Sequence, residues 1–176
     1  MNQNFEGTLM KRRLALTIVA TLACTALVVP SAGATGTDVC SLLTKKEASK
    51  ILRTAVVKAK NATNTVTGDQ ECVYTTRRYT SPFFKKQHAP LTLEIIWGAL
   101  TPEVRAKIDA DRANLQPIAD LGDEAYFDHA DVVVIRGQDT LGAQVSYWSG
   151  NGKAIAKYGA MAEAAARTAL PRVPTG

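Results

Sequence analysis

The sequence predicts an α+β fold, an antiparallel sheet of about five to six strands covered by two to three helices and holding one disulfide. Two observations predict the sheet. Apolar runs typical of strands cluster between segments that carry helix-start signals. The turns between these runs are short, which favours antiparallel pairing over helical crossovers. A third observation, two cysteines beyond the apolar N-terminal segment, predicts the disulfide.

Length and composition indicate one folded domain. The chain has 176 residues, with 21 Lys and Arg against 16 Asp and Glu, a net charge of +5. Its 46% hydrophobic and 21% charged residues lie near the globular average. This composition argues against a disordered, collagen-like or coiled-coil chain.

The N-terminal segment has the pattern of a secretory signal peptide. A basic cluster, Lys11–Arg13, precedes an apolar run over Leu14–Val29 and the small residues of Pro30–Ala34. We therefore predict a signal peptide over 1–34 and a single secreted α+β domain over 35–176. The apolar run has 16 residues, fewer than the roughly 20 that a membrane span needs. A retained membrane helix is the less favoured alternative, and Met10 is an alternative start.

A second interpretation makes the protein a lipoprotein. Thr21-Leu22-Ala23-Cys24 resembles a lipobox, in which Cys24 would carry the lipid and anchor the chain to a membrane. Thr21 stands where Leu or Val is usual, and the apolar run continues beyond Cys24 to Val29. Secretion is the prediction, and a membrane-anchored lipoprotein is the alternative.

Removal of residues 1–34 changes the charge and the cysteine count. The remaining 142 residues carry 18 basic and 15 acidic side chains, a charge of +3. This modest basicity, together with export, predicts no nucleic-acid partner. Cys40 and Cys72 remain, and in an exported protein such a pair favours one disulfide. A metal-binding or redox pair is the alternative, although about 32 residues separate the two thiols.

Helix signals and apolar runs define the elements of the first half. Thr44 and Glu47 form a capping box for a helix that should reach about Leu52. The alternation of Leu91, Leu93, Ile95 and Trp97 with more polar residues predicts a strand with one buried face. The other predicted elements are strands at Val56-Val57 and Cys72-Val73-Tyr74-Thr75, and a turn over Asn61–Asp69.

The second half begins with another helix. Thr101 and Pro102 are typical N-cap and first-turn residues, and the helix should reach about Asn114. An Ala-rich helix from about Gly152 to Leu170 should pack closely on the sheet. Between them we predict a turn at Leu121–Glu124, strands at Ala125–Phe127, Val132–Ile135 and Leu141–Trp148, and a hairpin loop at Arg136–Asp139.

Four features occur in a fixed order: Cys40-Ser41-Leu42-Leu43-Thr44, Cys72-Val73-Tyr74, Leu121-Gly122-Asp123-Glu124-Ala125-Tyr126, and an Ala-rich closing helix with Leu170 and Arg172. Together they resemble domain of unknown function 3558, a family of exported proteins and lipoproteins of actinobacteria. The resemblance covers about residues 38–173. It implies secretion or surface anchoring and a bridge between Cys40 and Cys72. It implies no activity and no catalytic residue.

One segment suggests a binding function. Residues 77–88 contain four cations and three aromatic side chains within twelve positions. Cations attract phosphates, and aromatic rings insert at interfaces or stack. A solvated loop whose phenylalanines cap the core is the alternative interpretation. The candidate residues for binding an anionic surface are Arg77, Arg78, Phe83, Phe84, Lys85 and Lys86.

A group of mostly acidic side chains over residues 120–131 is a weaker indication of a functional site. Calcium requires several oxygen ligands, but this spacing does not match the twelve-residue calcium loop. We therefore predict no metal site and no cofactor, and interpret these residues as a turn and solvated strand ends. They are Asp120, Asp123, Glu124, Asp128, His129 and Asp131.

Catalytic patterns are weaker still. Beyond the leader the histidines are His88 and His129, and neither lies in a recognisable nucleophile–base motif. A hydrolase would pair one of them with Ser81, Ser146 or Ser149. The large aromatic residues are interpreted as core or sheet-face residues rather than a sugar platform. They are Trp97, Tyr126, Tyr147 and Trp148.

The functional hypothesis is a secreted or cell-envelope protein that acts as a non-enzymatic binding or interaction module. Its expected partners are anionic envelope lipids, wall polymers or an extracellular protein. A small secreted hydrolase or glycan-modifying enzyme is the first alternative, and a lipid-anchored ligand carrier is the second.

Overall fold

The computed structural model describes residues 38–65, 67–80, 88–146 and 152–174. Within these residues, seven strands form one sheet, and each strand is antiparallel to its neighbours. The order across it is β1-β2-β3-β7-β6-β5-β4. The strands are β1 Val56–Thr63, β2 Gln70–Thr80, β3 His88–Ala99, β4 Gln116–Pro117, β5 Glu124–Asp128, β6 Asp131–Arg136 and β7 Asp139–Ser146. The helices are α1 Lys45–Leu52, α2 Pro102–Asp111 and α3 Gly152–Ala169, with 3₁₀ turns at Val39–Ser41 and Leu170–Arg172.

The predicted α+β class, antiparallel sheet and three helices are confirmed. The sheet has one strand more than the upper estimate, because β4 was not predicted. That strand has only two residues, Gln116 and Pro117, which pair with Phe127 and Tyr126. Both are exposed, so no alternation of apolar and polar residues could reveal them.

Several predicted boundaries differ from the structure. The second helix ends at Asp111 rather than near Asn114, because the Asn114 N–H donates to the Asp111 carbonyl in a turn (2.8 Å). The turn expected over Asn61–Asp69 starts late, since β1 pairs with β2 as far as Thr63 and Gln70. The strand expected over Leu141–Trp148 spans Asp139–Ser146, and residues 147–148 lie outside the described residues.

The sheet has one fully covered face, which we call the core face. Side chains on a strand alternate between faces, and Tyr74, Leu93 and Ile95 lie on the core face with less than 1% of their surface exposed. Helices α1 and α3 pack against it, and their buried residues belong to the same apolar cluster. Hydrophobic burial on this face is the main source of stability.

The opposite, outer face is covered by helix α2 at the β5 and β6 end. Ile108 of α2 packs against Tyr126 of β5 and Ile135 of β6 in a second, smaller cluster. Helix α2 begins as predicted, with the Val104 N–H donating to the Thr101 hydroxyl (3.3 Å) and Pro102 in the first turn.

Small residues bring α3 close to the sheet. Tyr158, Ala162, Ala165 and Ala169 are buried along one side of the helix. Alanine side chains allow the helix backbone to approach the strands closely, as the Ala-rich sequence predicts.

Gly122 sits in the predicted turn before β5 and requires glycine. Its φ is +67°, a conformation that L side chains rarely adopt. A Cβ there would lie 2.5 Å from a Val134 methyl carbon and 2.6 Å from the Ile135 carbonyl oxygen. The turn therefore packs directly onto the end of β6.

Candidate functional site

The disulfide joins the 3₁₀ turn at the start of the described chain to strand β2. Cys40 and Cys72 are bridged, with their Cα atoms 5.1 Å apart. This confirms the predicted pair. The Tyr74 hydroxyl, two residues along β2, donates to the Leu43 carbonyl, and burial raises the pKa of Tyr74. The bridge and this hydrogen bond both fasten the segment before α1 onto the sheet.

An ion pair closes the fold between the beginning of α1 and the last turn. The Arg172 guanidinium donates to both carboxylate oxygens of Glu47, at 2.6 and 2.8 Å, and to the Leu42 carbonyl at 3.0 Å. Arg172 and the capping residue Thr44 hold the pKa of Glu47 far below its usual range. Because 125 residues separate Glu47 from Arg172, no local pattern in the sequence could reveal the pair.

A group of exposed cations, which we call the basic edge, lies where β1 ends the sheet. It consists of Lys58 and Lys60 on β1 and Arg77 on β2, all exposed. Lys58 pairs across the strands with Thr75, and Lys60 with Val73, which places these lysines on the outer face. Among the described residues, none of the three cations has a carboxylate oxygen within 4 Å.

The predicted anionic-surface segment is described only at its start. Arg77 is exposed and belongs to the basic edge, and Arg78 continues the backbone of β2. The side chain of Arg78 and the whole of Phe83, Phe84, Lys85 and Lys86 lie outside the described residues. Lys58 and Lys60 were missed, since their closeness to Arg77 depends on strand pairing.

Charge is distributed unevenly across the sheet. Residues 38–80, which include α1, β1 and β2, contain 8 basic and 4 acidic side chains. Residues 100–139, which include α2, β4, β5 and β6, contain 4 basic and 9 acidic side chains. Since β1 and β4 are the two edges of the sheet, the molecule is basic at one edge and acidic at the other.

The candidate calcium ligands are engaged in separate places. Glu124 binds Arg105 (2.7 Å), Asp123 accepts from the Gly137 N–H (2.7 Å), and Asp131 accepts from Gln144 (3.1 Å). Asp128 instead contacts His129. Within the described ranges, no group of three acidic, histidine or cysteine side chains converges on a point that could hold a metal ion.

Glu124 is the centre of an ion-pair network between α2 and β5. It accepts hydrogen bonds from Tyr126 (2.6 Å), Arg105 (2.7 Å) and Arg112 (3.0 Å). These hydrogen bonds, with Tyr126 the largest contributor, lower the pKa of Glu124 to about 2. Arg112 also lies over the Tyr126 ring, 5.5 Å from its centroid. The network holds α2 on the outer face.

His129 is exposed and lies beside Asp128. Its Nδ1 lies 2.7 Å from Asp128 Oδ1, and 84% of its side chain is exposed. It lines a groove of about 540 Å³ between α3 and β5, together with Glu163. Glu163 binds Arg167 (2.9 Å). Among the described residues, no serine or threonine hydroxyl hydrogen bonds to His129, and the side chains of His88, Ser81 and Ser149 lie outside the description.

The large aromatic residues that are described lie in apolar clusters. Trp97 is 4% and Tyr126 is 8% exposed, so neither offers a ring face to a sugar. The indole N–H of Trp97 has no hydrogen-bond partner among the described residues. Tyr147 and Trp148 lie outside the described residues.

Comparison with known proteins found no match for this chain. No family model matches it, and no similar protein was found among curated proteins or solved structures. Within the described ranges, no helix is long and apolar enough to cross a membrane.

Proposed function

We propose that this protein is a secreted, non-enzymatic binding module that attaches to an anionic polymer of the cell envelope through its basic edge. The observation that carries the proposal is the group Lys58, Lys60 and Arg77, three exposed cations without carboxylate partners in the described part of the chain. Cations that form no internal ion pair are available to an external anion.

The shape of the basic edge favours a linear polymer. Lys58 and Lys60 are successive outward residues of one strand, so about 6.8 Å of backbone separates them. Arg77 lies on the neighbouring strand β2, two residues beyond Thr75, the cross-strand partner of Lys58. Such a row presents charge along a line, and an extended chain of phosphates or carboxylates can follow it.

Two further observations support secretion and binding. Disulfides persist mainly in oxidising compartments outside the cytosol, which agrees with the leader predicted over residues 1–34. The partners of His129 within the described residues include no nucleophile, which favours binding over hydrolysis. The resemblance to domain of unknown function 3558 also implies export, and it carries no information on catalysis.

The test compares two double variants of the full secreted protein. Lys58→Gln with Lys60→Gln removes two charges from the basic edge, and Lys46→Gln with Lys107→Gln removes two exposed charges elsewhere. Cosedimentation with purified anionic wall polymer measures binding at increasing salt. We expect the first variant alone to bind about tenfold more weakly and to show a smaller salt dependence.

Equal binding by both variants would overturn the proposal. Vesicles containing anionic lipid are the second arm of the test. Binding to these vesicles in preference to the polymer would also contradict it and would assign the basic edge to a membrane surface.

A further inference from the structure

Helices α1 and α3 line a cleft on the core-face side of the sheet, whereas Lys58 and Lys60 of the basic edge lie on the outer face. The cleft has a volume of about 640 Å³, which is within the usual range for small-molecule sites. It is open because α3 presents the exposed, small residues Ala160 and Ala164 there. The side chains that matter below are Lys50, Ile51 and Arg53 from the α1 side and Lys157, Met161 and Ala164 from α3.

The cleft is cationic. Lys50, Arg53 and Lys157 line it, and its carboxylate is Glu47. Glu47 does not neutralise Lys50 or Arg53, because both of its oxygens are held by Arg172. Lys50 and Arg53 have no carboxylate oxygen within 4 Å among the described residues.

The floor of the cleft is apolar. Met161 is buried with 7% of its surface exposed, and Ile51 is partly buried against the main core. Methionine adapts its shape to irregular apolar ligands. Cations at the rim above an apolar floor match a ligand that has a charged end and an apolar body.

Arg53 holds its position at a conformational cost. It ends α1 in the left-handed conformation, with φ at 53°, where glycine is usually found. Its N–H caps the carbonyls of Ser49 and Lys50, a role that the glycine backbone would fill without strain. The guanidinium at the cleft is what arginine adds at this position.

We propose that this cleft binds an anionic amphiphile, a phosphate or carboxylate head on an apolar chain. Lys50 and Arg53 hold the head, and the chain lies on Ile51, Met161 and Ala164. The site is separate from the basic edge, so this inference goes beyond the polymer binding proposed above and does not depend on it.

Titration of the full secreted protein with octyl phosphate below its micelle concentration tests the ligand class. Two probes divide the ligand into its parts, since octyl glucoside keeps the chain without the charge and inorganic phosphate keeps the charge without the chain. Calorimetry should show octyl phosphate binding at least about tenfold more tightly than either probe. Equal affinity for either probe, or no binding of octyl phosphate, would overturn the proposal.

Substitution of Arg53 separates binding from stability. Arg53→Gly removes the guanidinium and relieves the left-handed strain, so we expect about tenfold weaker octyl phosphate binding and a melting temperature no lower than that of the wild type. Lys46→Gln, which removes an exposed charge of α1 that does not line the cleft, is the matched control. Wild-type affinity in Arg53→Gly would contradict the proposal.

Two further experiments test the apolar floor of the cleft and the source of the ligand. Ala164→Leu places a larger helix-forming side chain in the cleft and should weaken octyl phosphate binding, while Lys58→Gln with Lys60→Gln should leave it unchanged. Unchanged affinity in Ala164→Leu would overturn the assigned floor. Vesicles containing phosphatidic acid distinguish the source: binding lost in Arg53→Gly indicates a lipid in a bilayer, and binding unaffected by it indicates a free amphiphile.

Discussion

Glu94 is a carboxylic acid whose position in the fold is unfavourable for its charged form. It lies on the outer face of β3, between Val73 of β2 and Gln144 of β7. Partial burial raises the pKa of its carboxyl, and the charges of Glu71 and Asp131 raise it further. Asp131, which accepts a hydrogen bond from the same Gln144, also has a raised pKa because of burial. The charged forms of Glu94 and Asp131 are therefore unfavourable at these outer-face positions.

The first prediction is that Glu94→Gln stabilises the protein at neutral pH. Because folding raises the pKa of Glu94 above its ordinary 4.5, the folded state binds more protons, and stability falls as the pH rises through the folded pKa. Glutamine does not titrate. Urea unfolding should give a higher midpoint for the variant at neutral pH and equal midpoints below pH 4.5.

Glu103→Gln is the control, because the pKa of Glu103 is shifted in the opposite direction to that of Glu94. Hydrogen bonds at the start of α2 lower the pKa of Glu103, so Glu103→Gln should bring no gain at neutral pH. A higher midpoint for Glu103→Gln, or an equal one for Glu94→Gln and the wild type, would contradict the interpretation of Glu94.

The capping box of α1 serves two purposes. The Glu47 N–H donates to the Thr44 hydroxyl (3.2 Å), and the Thr44 N–H donates to the Glu47 carboxylate (2.8 Å). The same carboxylate binds Arg172. The capping box therefore both starts the helix and orients the acceptor of the long-range ion pair.

The second prediction is that Thr44→Ala costs more than the loss of an ordinary N-cap. Thr101→Ala at α2 should destabilise by about 1 kcal/mol, as N-cap substitutions usually do. Thr44→Ala should lie toward the upper end of the range, about 2 kcal/mol, because the Thr44 hydroxyl also donates to the Glu47 carboxylate (2.8 Å) and alanine removes that contact. Urea unfolding of both variants measures the difference.

A double-mutant cycle checks the coupling. If Thr44 orients Glu47 for Arg172, the effects of Thr44→Ala and Arg172→Ala are not additive. Additive effects would mean that the cap and the ion pair act independently.

The disulfide restricts the conformations that the whole unfolded chain can adopt. It closes a loop of 32 residues between the first turn and β2, which lowers the entropy of the unfolded state. The third prediction is that Cys40→Ala with Cys72→Ala lowers the free energy of unfolding by about 2–5 kcal/mol. Urea unfolding of the variant, compared with wild-type protein without and with reductant, measures the loss.

The control for this experiment is the reduced wild type. If the bridge acts through the chain entropy, reduced wild-type protein should unfold at the same urea concentration as the double variant. A double variant that remains as stable as the oxidised protein would contradict the role given to the bridge.

The sequence predicted what depends on local patterns. Alternation in residues such as Leu93 and Ile95, caps at Thr44 and Thr101 and the count of cysteines sufficed for the fold class, the helices and the bridge. The short strand β4 escaped because two exposed residues carry no periodicity. The basic edge and the cleft escaped for another reason, since strand pairing and helix packing create them from residues far apart in the sequence.

The opposite charges of the two sheet edges give the molecule a permanent dipole moment in the plane of the sheet. Seven strands place β1 and β4 about 29 Å apart, so the field of an anionic surface exerts a torque on the approaching protein. This torque favours the orientation in which β1 leads. If the protein binds an anionic polymer as proposed, the acidic edge and α2 then face the medium.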